Sequence, residues 1–306
     1  MTKEHKYKKL TWIDLDNPTQ DEVKDLAIKY DIDALTANEL LTPTIRPRVD
    51  YHDNYIYLIL HFPNGHNDKS GFKKRIEEVD FVIGKDFIIT THYTSIDALL
   101  EFSKVFEVES ILDKSNMTDH AGFVFFYMIQ NLYKNLANRL EHVRDVLADI
   151  ENNIFKGNER QMVQEVSKLN RLLLNYREST DLHQEILESF EVAGKKFFGN
   201  DFEYHLRSIT GEYYKVRSSM DSSKEYLNEL RDTNDSLLST KQNEVMKILT
   251  VTNFIFLPLA LLAGIFGMNT ISTPVVGHPN DFWILILSMT VIAVFLFLFF
   301  KVRKWL

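Results

Sequence analysis

The chain has 306 residues, with 35 basic and 43 acidic side chains, 45% apolar and 25% charged content, and no cysteine. This balance is ordinary for a globular protein and excludes a bulk membrane protein; the lack of cysteine excludes disulfides and thiolate metal sites and agrees with a reducing compartment. From Ile248 onward the charged residues are Asp281, Lys301, Arg303 and Lys304, so the part before it carries 32 basic and 42 acidic residues and should attract cations.

In chain order, Met1 to Leu10 holds Lys3, Lys6, Lys8 and Lys9 without an apolar core, so it does not read as a secretory signal. Trp12 to Leu15 and Tyr55 to Phe62 predict strands, and Asn17-Pro18 predicts a helix start with Glu22 and Asp25 in its first turns. Val79 to Ile83 and Phe87 to Thr91 flank Gly84-Lys85-Asp86, which predicts a hairpin in a small α/β domain over residues 1–115.

Asn64 to Leu257 contains no proline, so long helices can run there. Helical pattern extends from Asp119 to Phe155 and, after Lys156-Gly157-Asn158, from Glu159 to near Gly194 and Gly199, predicting a helical hairpin. Then Phe202, Leu206, Ile209, Tyr213, Val216, Met220, Ser223, Leu227, Leu230, Asn234, Leu237 and Lys241 alternate spacings of four and three, a heptad seam. An apolar seam packs helices; its polar members Ser223, Asn234 and Lys241 suggest register fixing between copies. With no strong stop, one helix of about 65 residues should carry this stalk, residues 116–247, into the apolar end of the chain.

Ile248 to Phe266 and Phe282 to Phe300 are each 19 residues without a charge. Each predicts a membrane span of roughly 28 Å at ~1.5 Å per residue, against a hydrocarbon core of about 30 Å. Lys301, Arg303 and Lys304 held inside would leave both termini cytoplasmic, the loop 268–281 outside, and residues 248–306 as the transmembrane domain.

Two spans leave no lumen between them, so a water-filled path requires several copies. In a ring of copies, Asn243, Met246, Leu249 or Thr250, Asn253, Leu257, Ala260 and Gly264 follow one stripe of the first span. Met246, Leu249 and Leu257 would make apolar constrictions that gate by excluding water, and Asn243 and Asn269 would offer carbonyl oxygens at the two ends. Gly267-Met268-Asn269 closes the span at the outer boundary. A neutral amide ring suits a small divalent ion that gives up its water reluctantly, because it grips the hydration shell without holding the ion too long; Asn269 read alone is also a helix C-cap.

Asn243-Glu244-Val245-Met246-Lys247, Phe256-Leu257-Pro258-Leu259, Ala263 to Asn269 and the basic ending Lys301 to Leu306 resemble the CorA family of magnesium transport proteins, with weaker support from Arg46-Pro47 and Leu58 to Pro63. The resemblance implies an α+β cytoplasmic domain, a long helical, coiled-coil-like stalk and a two-helix transmembrane hairpin, assembled as a homopentameric funnel in the plasma membrane. It implies a channel, not an enzyme, for hydrated Mg²⁺, often passing Co²⁺ or Ni²⁺, with cytoplasmic Mg²⁺ as regulatory ion and no organic cofactor. By position, Asn269 with Gly267 and Met268 would form the selectivity ring, Asn243, Met246, Leu249, Leu257 and Ala260 the pore wall and gate, and Asp232 a regulatory ring. The chain departs from the family's pattern at Ala260, where a Thr is common, at Thr270 to Pro274, where a Met-Pro-Glu segment is frequent, and at Ser208, where a sensing aspartate falls by ungapped counting. Asp281 then stands as either the outer-loop acid or a helix N-cap.

A zinc transporter of the same superfamily and a membrane-anchored coiled-coil scaffold are the alternatives. Gly267-Met268-Asn269 argues against the first, and an amide ring at the helix end is not expected of the second. His52, His61, His66, His92 and His120 lack tight ligand spacing, no phosphate-cradling Gly-Lys-Ser/Thr loop occurs, and no nucleophile, base and oxyanion set comes together. The driving force would be the membrane potential, roughly 4.6 kcal/mol per 100 mV for a divalent ion.

Overall fold

The computed structural model describes residues 2–44, 46–64, 76–112, 120–268, 275–277, 279–303 and 305, and the chain divides into two compact units, Met1–Leu230 and Arg231–Leu306.

In the first unit, six strands form one sheet: β1 Thr2–Tyr7, β2 Leu10–Asp16, β3 Val49–Tyr51, β4 Ile56–Pro63, β5 Ile76–Ile83 and β6 Phe87–His92. Their order is β1-β2-β6-β5-β4-β3, with β2 and β6 parallel and every other pair antiparallel. The predicted hairpin is β5–β6, paired with Ile83 opposite Ile88. All eight residues of β4 are buried, which requires cover on both faces of the sheet.

One face is covered by α1 Gln20–Tyr30 and α2 Ala34–Glu39, around a core of Ile13, Leu15, Val23, Tyr57, Ile59, Val82 and Ile89. The helix start predicted at Asn17-Pro18 falls at Thr19: its hydroxyl accepts from the Glu22 N–H while the Glu22 carboxylate accepts from the Thr19 N–H, a reciprocal cap. On the other face, Trp12 packs against Phe102 and Phe106 of α3 Asp97–Leu112, and Phe81 meets Phe125 of α4 Ala121–Phe155.

The second predicted helical run is two helices, α5 Glu159–Thr180 and α6 His183–Phe198. At the end of α5 the hydroxyls of Ser179 and Thr180 both donate to the Tyr176 carbonyl. His183, fully buried, opens α6 as a tie between layers: Nε2–H donates to the His61 carbonyl at 2.7 Å, and Nδ1 accepts from the Tyr133 hydroxyl at 2.7 Å. Burial lowers its pKa to about 3, so the imidazole is neutral and this tautomer is fixed by its two partners.

After a short 3₁₀ turn, α7 runs from Glu203 to Phe266 as one helix of 64 residues, matching the predicted continuous rod in length. Its seam is buried from Leu206 through Leu230 within the same chain, with Tyr213 against Tyr133 and His183; beside the seam, His205 lies against Phe123 and Phe126. Ser223 is buried within the chain, and its hydroxyl donates to Ser219 O at 2.8 Å in the same helix. Unit two contains the end of α7 and α8 Asp281–Val302.

Some of the polar groups buried in the first unit are paired across strands. Trp12 Nε1–H donates to Thr90 Oγ1, Thr90 donates to Asp14, and His92 Nε2 reaches Asp14 at 3.3 Å while Nδ1 faces the Thr94 carbonyl at 2.7 Å. Both ring nitrogens face acceptors; burial works against the charge, but the Asp14 hydrogen bond and charge outweigh it and raise the His92 pKa. A second buried carboxyl, Asp80, accepts from the Tyr93 hydroxyl at 3.3 Å, and burial followed by the neighbouring Glu78 charge pushes its pKa well up.

Candidate metal-ion pathway

The apolar end of α7 and the whole of α8 are long and apolar enough to cross a membrane, and their outer surfaces are exposed on the isolated chain. On α7, Val251 is 1% exposed, and Ile255, Pro258, Leu259, Leu262 and Phe266 are half-buried at spacings of three and four. On α8, Leu285, Met289, Ile292, Leu296 and Phe300 lose exposure with the same periodicity. Phe254 and Phe300 bring their rings within 6.1 Å. These stripes are the sides on which the two helices shield one another.

The predicted pore stripe lies on the far side of α7. At about 100° per residue, Met246, Leu249, Asn253, Leu257, Ala260 and Gly264 cluster within about 40° of one another's mean direction, roughly opposite Val251 and Leu262. Met246 is 56% and Leu257 72% exposed, and Asn243, Leu249 and Ala260 are also exposed. A single chain leaves this stripe bare, so it is available either to lipid or to an axis shared with other copies. Thr250 and Thr252 donate their hydroxyls to the carbonyls of Met246 and Ile248, which satisfies them within the helix. Pro258 sits inside α7, on the shielded side.

At the helix end, Gly267 N–H donates to the Ala263 carbonyl at 2.9 Å and Met268 N–H to Ile265 at 3.3 Å. A Cβ added at Gly267 would stand 3.0 Å from that Ala263 oxygen, so glycine is what lets the chain close tightly here. Met268 is exposed. Asn269, on which the selectivity reading rests, lies outside the described residues, as do Thr270 to Pro274.

Asp281 is the first residue of α8, with Asn280 at the cap position. Its carboxylate accepts from Gly277 N–H at 3.1 Å and from Phe282 N–H at 2.7 Å. Both oxygens are thus engaged in organising the turn into the helix, close to the capping alternative. Asp232 is exposed on α7, with Arg231 Nη2 at 3.5 Å. Among the described residues of one chain no three His, Asp or Glu side chains come together to hold a metal ion.

The structure therefore brings the stripe residues into line on one helix face and places Gly267 and Met268 at its end, while Asp232 and Asp281 stand apart from that face's apolar section. The chain thus combines an α/β unit, a long helix and a second apolar helix, and two of its helices are long and apolar enough to cross a membrane. The family model of the CorA-like Mg²⁺ transporter protein matches residues 7–303, and the chain belongs to that family of divalent-metal transporters. The cobalt/magnesium transport protein CorA of Thermotoga maritima is 25% identical over 297 residues, covering 97% of this chain and 83% of the relative. The complete structure of the CorA magnesium transporter from Methanocaldococcus jannaschii superposes with a TM-score of 0.84 at 20% identity, covering 99% of this chain and 94% of the other. The ZntB cytoplasmic domain of Vibrio parahaemolyticus is more distant, with a TM-score of 0.62 at 11% identity, covering 76% of this chain and 88% of that domain.

Proposed function

We propose that this chain assembles as a homopentamer in the plasma membrane, with both termini in the cytoplasm, and conducts hydrated Mg²⁺ inward down the membrane potential. Residues 1–115 would form the cytoplasmic α/β domain, 116–247 the stalk and 248–306 the membrane domain. The observation that carries the reading is the bare stripe of α7: Met246, Leu249 and Leu257 on the face opposite the α8-shielded side, with Asn243 at one end and Gly267-Met268 at the other. A ring of such helices lines an axis without exposing backbone to it.

In this reading Asn269, with Gly267 and Met268, forms the outer selectivity ring. Its amide oxygens accept hydrogen bonds from the ion's water shell, so the ion enters without the cost of dehydration. Asn243, Met246, Leu249, Leu257 and Ala260 form the wall, and the apolar rings close by expelling water. Asp232, repeated around the axis, would supply carboxylates for regulatory cytoplasmic Mg²⁺, a role that requires several copies because one chain offers one such group. Asp281 acts as the organiser of the α8 start. Co²⁺ and Ni²⁺, similar in charge and hydration, would pass the same ring.

The test is Mg²⁺ entry into liposomes holding the purified protein, read by an internal dye under an inside-negative potential, with Zn²⁺ run in parallel. Potential-driven Mg²⁺ entry is expected. Zn²⁺ entry without Mg²⁺ would replace the reading with a zinc transporter, and entry of neither would leave a scaffold.

A further inference from the structure

Asn253 is an amide inside a 19-residue stretch that carries no charge, and the side chain is exposed on the isolated chain. The two hydroxyls nearby, Thr250 and Thr252, bond back to their own helix, whereas Asn253 has no hydrogen-bond partner among the described residues. An amide has two donors and two acceptor lone pairs, and hydrocarbon satisfies none of them. Its direction on α7 is decisive. At about 100° per residue Asn253 points roughly 200° from Val251, which is 1% exposed, and thus away from α8. Met246 and Leu257 lie within about 40° of it, Leu257 about one helical turn toward the C-terminus and Met246 about two turns toward the N-terminus.

On the pore reading given above, on which this inference rests, we propose that Asn253 forms a second amide ring inside the pore, a polar resting place for a hydrated divalent cation between the Leu249 and Leu257 constrictions. The ring's carbonyl oxygens accept from the ion's water shell as those at the pore mouth would, and its N–H groups bond water or a neighbouring amide. A path that is apolar from Met246 to Gly264 would have to stay wet over about 27 Å of helix at ~1.5 Å per residue; an amide ring near its centre divides that into two shorter gates. Asn253 would therefore set how readily the pore fills, and hence its conductance.

The absence of cysteine makes the test direct, because Asn253→Cys carries the only thiol in the chain. The full-length protein is reconstituted in liposomes with Mg²⁺ entry as the readout, and a charged, water-soluble methanethiosulfonate reagent is added. Leu257→Cys serves as a second stripe position and Val251→Cys as a position on the shielded side. Modification of Asn253→Cys and Leu257→Cys with loss of Mg²⁺ entry, and none at Val251→Cys, is expected. Modification of Leu257→Cys alone, with Asn253→Cys reached just by a membrane-soluble maleimide, would put the amide in lipid and overturn the proposal while leaving the pore reading standing. Ion entry with neither stripe position modified would overturn both. A variant that does not need the thiol gives an independent check: Asn253→Leu should lower Mg²⁺ entry about tenfold or more, with Asn253→Ser within about threefold of wild type, as expected for a wetting ring. Unchanged entry in Asn253→Leu would overturn the proposal.

Discussion

Replacing His183 by glutamine tests the tie between the sheet and the helices. The imidazole is fully buried, donates from Nε2 to His61 O and accepts at Nδ1 from Tyr133, both at 2.7 Å. Burial holds its pKa at about 3 against an ordinary 6.5. A base whose folded pKa is depressed gives full stability above 6.5 and loses it as pH falls toward 3, because the unfolded chain takes up a proton that the folded chain refuses. Between pH 7 and pH 5 this one residue should cost the fold roughly 2 kcal/mol, or about 4 to 8 °C in unfolding midpoint for a unit of some 200 residues. Glutamine can place an N–H on the same carbonyl and an oxygen on the same hydroxyl without titrating. Thermal unfolding of full-length wild type and His183→Gln at both pH values should show a smaller acid-induced drop in the variant by about that amount. Equal drops would refute the buried neutral imidazole.

Asn269→Ala should abolish Mg²⁺ uptake while the oligomer elutes unchanged, and retained uptake would remove the residue from the selectivity ring. Asp232→Ala should weaken the protection of the stalk from protease by added Mg²⁺; identical protection would mean that this carboxylate does not bind the regulatory ion. Asp80 has its carboxyl pKa raised by burial and then by Glu78, so its contribution to stability is present at low pH and lost as pH rises through the raised value. Asp80→Asn should therefore gain in unfolding midpoint over wild type as pH moves from acidic to alkaline, and a difference that stays constant would contradict the protonated carboxyl.

Much of the fold follows from local patterns in the residues. Tyr55 to Phe62 is apolar on both faces, which suits a strand covered on two sides, and Gly84-Lys85-Asp86 joins two such runs. β1 is not legible because Thr2–Tyr7 is dominated by Lys, Glu and His; it is an edge strand, where charge discourages pairing with other chains and β2 supplies the hydrogen bonds. The division between α5 and α6 carries no glycine or proline, so the sequence offers no local stop signal there. The heptad seam was legible as a seam but not in its partner, since spacing alone does not say whether an apolar stripe meets its own chain or a copy; Tyr213 against Tyr133 and the burial of Leu206 through Leu230 show that this part meets its own. In the membrane unit the stripe could be read from period alone. The side of α7 shielded by α8 required the burial of Val251 and the partial burial of Leu262, and that direction is what puts Asn253 on the face turned away from α8.

In the proposed function, copies of this chain surround a path that passes divalent cations along the bare face of α7. The reversal potential of the purified protein in a planar bilayer, with a tenfold Mg²⁺ gradient and an impermeant anion, tests it most directly. A current reversing near the Mg²⁺ equilibrium value, ~30 mV for a tenfold gradient of a divalent ion, is the predicted result. No current at any potential from an intact oligomer, or a reversal that ignores the Mg²⁺ gradient, would contradict it.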